Sequence, residues 1–418
     1  MPEMISVEQA RELVLSNVKT LGAECVPVLK AAGRVCAADV KSDIDIAPFA
    51  HSAMDGFAVR ASQIEGASKS GPVNLKVIAN VAAGSTFDGE IAQSECVRIM
   101  TGAPLPKAAD SVVKYEIVKT VNGNGSVGST VQFTSPANKG SNVRQAGEEA
   151  RAGEVILQPG CVINPAGVGF LAGCGQVKIP VYKQPHVAII SIGSELVDPS
   201  TLPTPGKIRN SNSYALAASA ASAHAVPEIL PIVEDNLDAL KNAVLKATET
   251  FDFVVTSGGA SNGDFDFIKP CIDSLGSLLM TSVNMRPGKA QTFGIVNDTP
   301  VFGLAGNPAA AYVGFEMLIR PALRKMQGYT NFERPRVVAK LTSAVNKRDP
   351  RRMYLRSTLT KNEDGSFLVT PAKNQSSGLF STLARSNCLA ILPEGKGDVS
   401  AGSSVECMML DVSEDVCI

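Results

Sequence analysis

The chain is poor in the residue types that announce a metal cluster or a disulfide scaffold. Its three histidines, His51, His186 and His224, are too few and too scattered across 418 residues to form a metal cluster. The nine cysteines contain no C-x-x-C pair and no zinc spacing, and an odd number argues against a complete secreted disulfide framework. Cys36, Cys96, Cys174 and Cys388 therefore read as reduced, small apolar residues. Neither sign of charge is in excess: 39 Lys and Arg stand against 40 Asp and Glu, a formal net charge of -1. That balance excludes a bulk electrostatic pull toward nucleic acid or a membrane surface, so any anion site must be local. Met1-Pro2-Glu3-Met4 lacks the basic start and apolar core of a signal peptide, and no apolar run is long enough to span a bilayer. The expectation is a cytoplasmic protein with neither nucleic acid nor membrane as partner.

What is present points to several domains. The length suits two to four of them, and 36 Gly with 25 Pro imply many turns between short elements. One stretch stands out. Phe251 to Thr256 is a β-branched and aromatic run that breaks into a loop of Gly, Ser and Asn, and a helical pattern resumes near Asp266 and runs past Lys269. Strand, loop and helix in that order, with Gly258, Gly259 and Gly263 free to adopt unusual backbone angles, make a phosphate cradle beside a helix N-terminus. Asp264 and Asp266 sit at its far edge. Either one of them caps the helix, or the pair meets a hard cation such as Mg2+ that separates it from the phosphate.

Along the chain, Ser6-Val7-Glu8-Gln9 has capping-box spacing and opens a helix with Val7, Ala10, Val14 and Val18 on one face. Small residues around Asp55 in Pro48 to Val59 hold a carboxylate on a tight turn. Strands are predicted at Leu75 to Val81, Cys96 to Met100, Ser111 to Val121 and Thr130 to Phe133, with Thr101-Gly102-Ala103-Pro104 as a stiff polar loop among them. Gly123-Asn124-Gly125-Ser126-Val127-Gly128 satisfies a dinucleotide-type glycine pattern, but β runs flank it and no helix follows, so it is a hairpin tip. Asn164-Pro165 starts a short helix.

From Val187 the pattern alternates. Strands at Val187 to Ile192, Ile229 to Val233 and Phe251 to Thr256 interleave with helices at Ser213 to Ala223 and Leu237 to Ala247. Strands near Ser282 to Met285, Thr292 to Val296 and Val301 to Leu304 precede a helix from Pro308 to Met326. Repeated β-α units mean a mainly parallel, doubly wound sheet whose ligands bind at the carboxyl ends of its strands. The polar residues there are Glu195, Asp235, the cradle with Ser257, Gly258, Gly259 and Ser261, and Gly306-Asn307-Pro308. Three carboxylates, Glu195, Asp235 and Asp266, then surround one anion cradle, and Arg286 and Lys289 on an intervening turn read as clamps on an oxyanion. From Pro335 onward short strands predict a C-terminal β domain that offers Arg351, Arg352 and Arg356 on one edge and a loop at Gln375 to Gly378.

Ser52 to Gly56, Thr101 to Pro104, Thr256 to Gly259 with Gly263 to Asp266, Pro287-Gly288-Lys289 and Gly306-Asn307-Pro308 together resemble the molybdopterin molybdenumtransferase family, over essentially the whole chain and in the family's order. The resemblance implies a discontinuous N-terminal domain (1–47 and 141–181), an inserted β domain (48–140), a doubly wound molybdopterin-binding α/β domain (182–327) and a C-terminal β-barrel-like domain (328–418), assembled as a homodimer. It also implies the reaction, in which adenylylated molybdopterin and molybdate yield molybdenum cofactor and AMP with a divalent metal. On this analogy Ser257, Gly258, Gly259 and Ser261 hold phosphate, with Gly263, Asp264 and Lys269 in the same loop and helix start. Glu195 and Asp266 position Mg2+, and Asp235 orients water or the metal's surroundings. Arg286 and Lys289 draw in molybdate with Arg351, Arg356 and Ser377, while Asp55 and Thr101 reach the site from the partner subunit. A molybdopterin adenylyltransferase is the implied substrate donor and apo-molybdoenzymes the acceptors.

Several positions depart from the family pattern: Ser194 in place of Asp, Glu149 in place of Asp, Arg286 in place of Lys, and Ala290 and Ala305 in place of Pro. Two other functions stay open at this level. One is a non-catalytic molybdopterin carrier or scaffold, which Ser194 keeps in view. The other is molybdopterin adenylyltransferase itself, against which the additional β domains argue.

Overall fold

The computed structural model describes residues 4–259 and 267–415. The chain folds into two compact units, one made of 25–32 and 38–180, the other of the N-terminal residues to Glu24, Gly33–Ala37 and everything from Val181.

The first of these is built on a six-stranded sheet in the order Ser111–Lys114, Gly56–Val59, Glu95–Ile99, Val73–Val81, Thr130–Phe133, Lys119–Asn122. Phe57, Leu75, Val77, Val131 and Phe133 fill one face. The predicted strand from Ser111 to Val121 is in fact two, separated by a 3-10 turn at Tyr115–Ile117. The glycine-rich segment after Asn122 joins two antiparallel strands and is a hairpin tip as expected. A helix at Pro165–Gly173 starts with the Asn164 side chain accepting from the Gly167 amide.

The larger unit carries the α/β fold. Its sheet runs Val226–Ile229, His186–Ser191, Phe253–Ser257, Thr299–Leu304, Ala290–Val296, Ser277–Ser282. The first four strands are parallel and the last two antiparallel, because hairpins rather than crossover helices connect residues 277 to 304. The edge strand predicted at 229–233 lies earlier, at Val226–Ile229. Pro231 has no N–H to continue a ladder, and beyond it only an isolated bridge joins Val233 to Ile192. The helix predicted from Pro308 to Met326 is present but widens into a π turn at Phe315–Ile319, just ahead of Pro321, which lacks a donor.

Helices cover both faces of the sheet. On one face Val187, Ile189, Phe253, Val255 and Phe302 pack with Leu216, Phe315 and Leu318, and the first helix, Val7–Ser16, adds Val7, Ala10 and Val14 to that core. On the other, Ala188, Ile190 and Val254 meet Leu240, Val244, Ile268 and Ile272.

The C-terminal residues form a closed barrel of five strands: Arg352–Lys361, Phe367–Pro371, Arg336–Leu341, Ser404–Met409 and Cys388–Leu392, the last returning to the first. Closure removes the sheet edges. The short strand Met285–Arg286 attaches in parallel to the outside, with Arg286 opposite Met353. A four-residue helix, Phe380–Leu383, interrupts the otherwise all-β region. No helix among the described residues is long and apolar enough to cross a membrane.

Candidate functional site

Two cavities open side by side at the carboxyl ends of the parallel strands. The first, of about 830 Å³, is lined by Glu195, Asn210, Asn212, Asp235, Ser257 to Gly259 and Gly306 to Pro308. The loops of Glu195, of Ser257 to Gly259 and of Gly306 to Pro308 follow the buried strands His186–Ser191, Phe253–Ser257 and Thr299–Leu304. At the cradle, Gly258 takes a φ of +95°, and a Cβ there would collide with the Ile192 carbonyl, so this approach of two loops requires glycine.

Of the glycine cradle, the described residues include Gly258 and Gly259. The Gly258 N–H donates to the Leu304 carbonyl (3.1 Å), and the Gly259 carbonyl accepts from Phe267 (3.0 Å) and Ile268 (3.3 Å), which takes up the first described amides of the following helix, Ile268–Leu275. The sheet ladder and the helix start both need those groups. The wall beside these two glycines is organised by Asn212, which the sequence reading missed. Its Nδ2 donates to Ser257 Oγ (2.7 Å) and to the Gly306 carbonyl (2.9 Å), clipping two loops together, and its buried Oδ1 has no partner. Behind it Ser191, Asn210 and Ser213 form a buried hydroxyl and amide cluster that fixes the start of the helix Asn212–Ser222. The polar run Asn210-Ser211-Asn212 before an Ala-rich helix was the available signal; it reads as a helix cap.

Two carboxylates line the same cavity. Asp235 accepts from the Ser194 N–H (2.8 Å) and the Asp235 N–H donates back to Ser194 Oγ (3.2 Å). The Ser194 hydroxyl thus serves as a backbone clip between two strand ends. The Glu195 carbonyl accepts from the Ile208 N–H (2.9 Å), while the Glu195 side chain makes no hydrogen bond or ion pair to another described residue. Among the described residues no three His, Cys, Asp or Glu side chains come together as a metal-binding group. Glu195 and Asp235 supply oxygen donors alone, the kind a hard divalent ion takes. Ser261, Gly263, Asp264 and Asp266 lie outside the described residues. Lys269 sits in the first turn of the helix Ile268–Leu275 and lines neither cavity.

The second cavity, of about 660 Å³, is cationic. Arg286, Lys289, Arg351 and Arg356 line it with Gln375, Ser376 and Ser377, and it shares Ala305 and Asn307 with the first. Asn307 heads the helix Pro308–Gly314 without using its side chain as a cap. The barrel loop is tied to that helix by the Ala309 N–H donating to the Ser377 carbonyl (2.8 Å).

Arg356 is 1% exposed. One of its terminal nitrogens donates to the Ser376 carbonyl (2.9 Å), while Nε has no partner. Gln375 pins its backbone, accepting from the Arg356 N–H (3.1 Å) and donating to the Arg356 carbonyl (2.9 Å). Burial, then the nearby Arg286 charge, push its pKa down to about 10, so it stays cationic at neutral pH with no counter-ion among the described residues. Arg286, read from the sequence as a clamp with Lys289, and Arg351, which the resemblance adds, share one. Asp349 accepts from Arg286 (2.9 Å) and from Arg351 (2.5 Å), and these hydrogen bonds, Arg351 first, hold its carboxyl far below the usual carboxylate range. Lys289 makes no side-chain bond to a described residue.

Asp55 and Thr101 belong to the other unit. Asp55 Oδ1 accepts from both the N–H and the hydroxyl of Thr101, each at 2.7 Å, and these bonds hold its carboxyl below its ordinary value. Two motifs 46 positions apart thus form one exposed acidic corner.

Comparison with known proteins accounts for all three regions of the chain. Residues 5–175 match the MoeA N-terminal region (domain I and II), residues 188–325 a probable molybdopterin binding domain, and residues 338–410 the MoeA C-terminal region (domain IV). The molybdopterin molybdenumtransferase of Bacillus subtilis (strain 168) is 36% identical over 97% of this chain and 94% of its own length. Those of Staphylococcus aureus (strain COL) and Haemophilus influenzae are 34% and 32% identical over 97% and 96% of this chain and 96% and 98% of their own. The crystal structure of a molybdopterin biosynthesis MoeA protein from Pyrococcus horikoshii superposes with a TM-score of 0.82 at 31% identity, covering 97% of this chain and 99% of that one.

Proposed function

The chain belongs to the molybdopterin molybdenumtransferase family, whose members act in molybdenum cofactor biosynthesis, and from that premise we propose that it inserts molybdate into adenylylated molybdopterin with release of AMP. The observation that carries the reading is the buried Arg356, a cation that has no counter-ion and no Nε partner among the described residues, in a cationic cavity next to a polar one. A tetrahedral dianion supplies the acceptors that the second cavity lacks, and a pterin phosphate fits the amide and hydroxyl lining of the first.

In this reading the loops of Ser257 to Gly259 and Gly306 to Pro308 hold the pterin phosphate, oriented by the Asn212 clip. Arg356, Arg286, Lys289 and Arg351, with Ser377, hold molybdate beside it. Asn307 faces both ligands. A divalent cation is part of the proposal: Glu195 with Asp266 would bind it, Asp235 would orient its surroundings, and when bound it would offset phosphate charge as the anhydride is cleaved. The Ser194 departure leaves Asp235 oriented through two backbone bonds, which favours a retained activity over a carrier that has lost it.

The protein is further proposed to act as a cytoplasmic homodimer, receiving substrate from a molybdopterin adenylyltransferase and passing product to apo-molybdoenzymes, with Asp55 and Thr101 serving the partner's site. The helix Pro165–Gly173 supports self-association, since it is uncharged throughout and only Leu171 is buried. A monomer by light scattering at micromolar concentration would count against that part.

The direct test incubates the purified protein with adenylylated molybdopterin and Mg2+, with and without molybdate, and follows AMP release and activation of an apo-molybdoenzyme. Molybdate-dependent release with activation is expected. Tight binding with neither product would replace the enzyme with a carrier.

A further inference from the structure

Gln291 is fully buried, yet it lies in a strand, Ala290–Val296, whose neighbours Phe293, Phe302 and Leu304 belong to the apolar core. It stands opposite Leu304 in the ladder, directly before the loop that carries Gly306 and Asn307. A primary amide in such surroundings is unfavourable unless its groups are bonded. Half of this one is: Nε2 donates to the Gly288 carbonyl (3.1 Å), while Oε1 has no partner. The amide therefore works against stability, and what it holds is the turn bearing Arg286 and Lys289.

The space for it is kept by two glycines. A Cβ on Gly288, whose φ is +95°, would fall 2.7 Å from Nε2, and one on Gly314, in the helix Pro308–Gly314, would collide with Nε2 and come within 2.7 Å of Oε1. Two backbone tethers flank the turn: the Val283 N–H donates to the Lys289 carbonyl (2.9 Å) on the Lys289 side, and the ladder of Met285–Arg286 with the barrel strand holds the Arg286 side, so the amide's hold falls on the middle of the turn. With the carbonyls of Gly288 and Lys289 both held, the turn presents Arg286 and Lys289 to the cationic cavity, which Gln291 itself does not line.

Resting on the oxyanion reading above, we propose that Gln291 is a positioning residue for molybdate, acting through the Gly288 carbonyl to set where the cationic turn meets the anion. The interaction is local to that turn, so it bears on the oxyanion and leaves the pterin phosphate alone.

The test is equilibrium dialysis of molybdate against wild type and Gln291→Met, a side chain of similar volume without a donor, together with thermal midpoints and the KM for each substrate. Molybdate affinity should weaken roughly five- to tenfold, the size expected for one lost positioning bond, with the KM for the pterin substrate unchanged. The thermal midpoint should hold or rise, since an unbonded buried oxygen is removed. Gly314→Ala, whose Cβ crowds the amide off Gly288 while keeping its chemistry and also presses on Leu304 Cδ2, should give the same loss of molybdate affinity with a somewhat lower midpoint. Unchanged molybdate affinity in both variants would overturn the proposal. So would a lowered midpoint with equal losses toward both substrates, the mark of a purely structural role. Failure of the wild type to bind molybdate would overturn the oxyanion reading itself, and this inference with it.

Discussion

The two neighbouring cavities of the larger unit share Ala305 and Asn307 and differ in nearly everything else. The first is walled by strand-end loops of the parallel sheet and by the start of the helix Asn212–Ser222, and presents hydroxyls, amides and carboxylates. The second is walled by four segments from 286 to 377 and presents guanidinium groups and an ammonium. The polar cavity comes from a repeated unit, in which each β-α junction contributes the same kind of group at the same edge. The cationic cavity exists only because a barrel docks on the antiparallel side of the sheet. One wall is therefore set by local chain geometry and the other by tertiary contact, and substitutions in the two should fail in different ways.

The sharpest separation is expected from Arg356→Met. Molybdate-dependent turnover should fall roughly hundredfold in kcat/KM, the scale of losing a buried charged donor, while pterin binding survives. Its lowered pKa means that burial disfavours the cation at every pH below about 10, so the ligand-free variant should be at least as stable as wild type. Molybdate should no longer raise its thermal midpoint, although the same addition stabilises the wild type. An equal loss of pterin binding would break the division between cavities.

On the other wall, Asn212→Ala should raise the KM for the pterin substrate about tenfold through loss of the clip between Ser257 and Gly306, with molybdate affinity little changed. Steady-state kinetics with each substrate varied in turn would check this, and a predominant effect on molybdate would refute the assignment.

A third difference concerns pH. Asp349 is held far below its ordinary 3.8 by Arg351 and Arg286, so its pairing contributes stability that is fully present above that ordinary value and is lost as pH falls through the lower, folded one. The gap in unfolding free energy between wild type and Asp349→Asn should stay level from neutral pH to about pH 4 and narrow below it. Urea denaturation across that range reads it directly; a gap that widened on acidification would contradict the pairing.

The smallest effect is expected from Ser194→Asp. A carboxylate can accept from the Asp235 N–H as the hydroxyl does, so activity should change by no more than about threefold. A large gain would mean that Ser194 costs this chain a catalytic charge.

Much of the polar cavity was legible in advance. Strand, glycine loop and helix at Phe251 to Lys269 follow from periodicity and turn chemistry, and they place Ser257 and Gly258 at a strand end. Hydrogen-bond destinations were not legible. The Gly258 amide belongs to Leu304, and Asn212 reads as a helix cap until its two partners are seen. Asp349, Gln291 and Gln375 gave no signal because their partners are remote or their environment is invisible in one dimension. An amide in an apolar strand looks like an irregularity until Gly288 and Gly314 are found around it.

By itself the sequence determined the alternation that makes a parallel sheet, the edge at which ligands meet it, the β character of the flanking regions and, through its motifs, the family. Tertiary structure alone decided which cations lose their water and which acquire a counter-ion. Arg351 and Arg356 lie five positions apart, yet one is paired with Asp349 and the other is buried with no counter-ion among the described residues. That distinction comes from barrel closure and from the docking of the 375–377 loop on the helix Pro308–Gly314, because desolvation depends on everything packed around a charge and not on its neighbours in the chain.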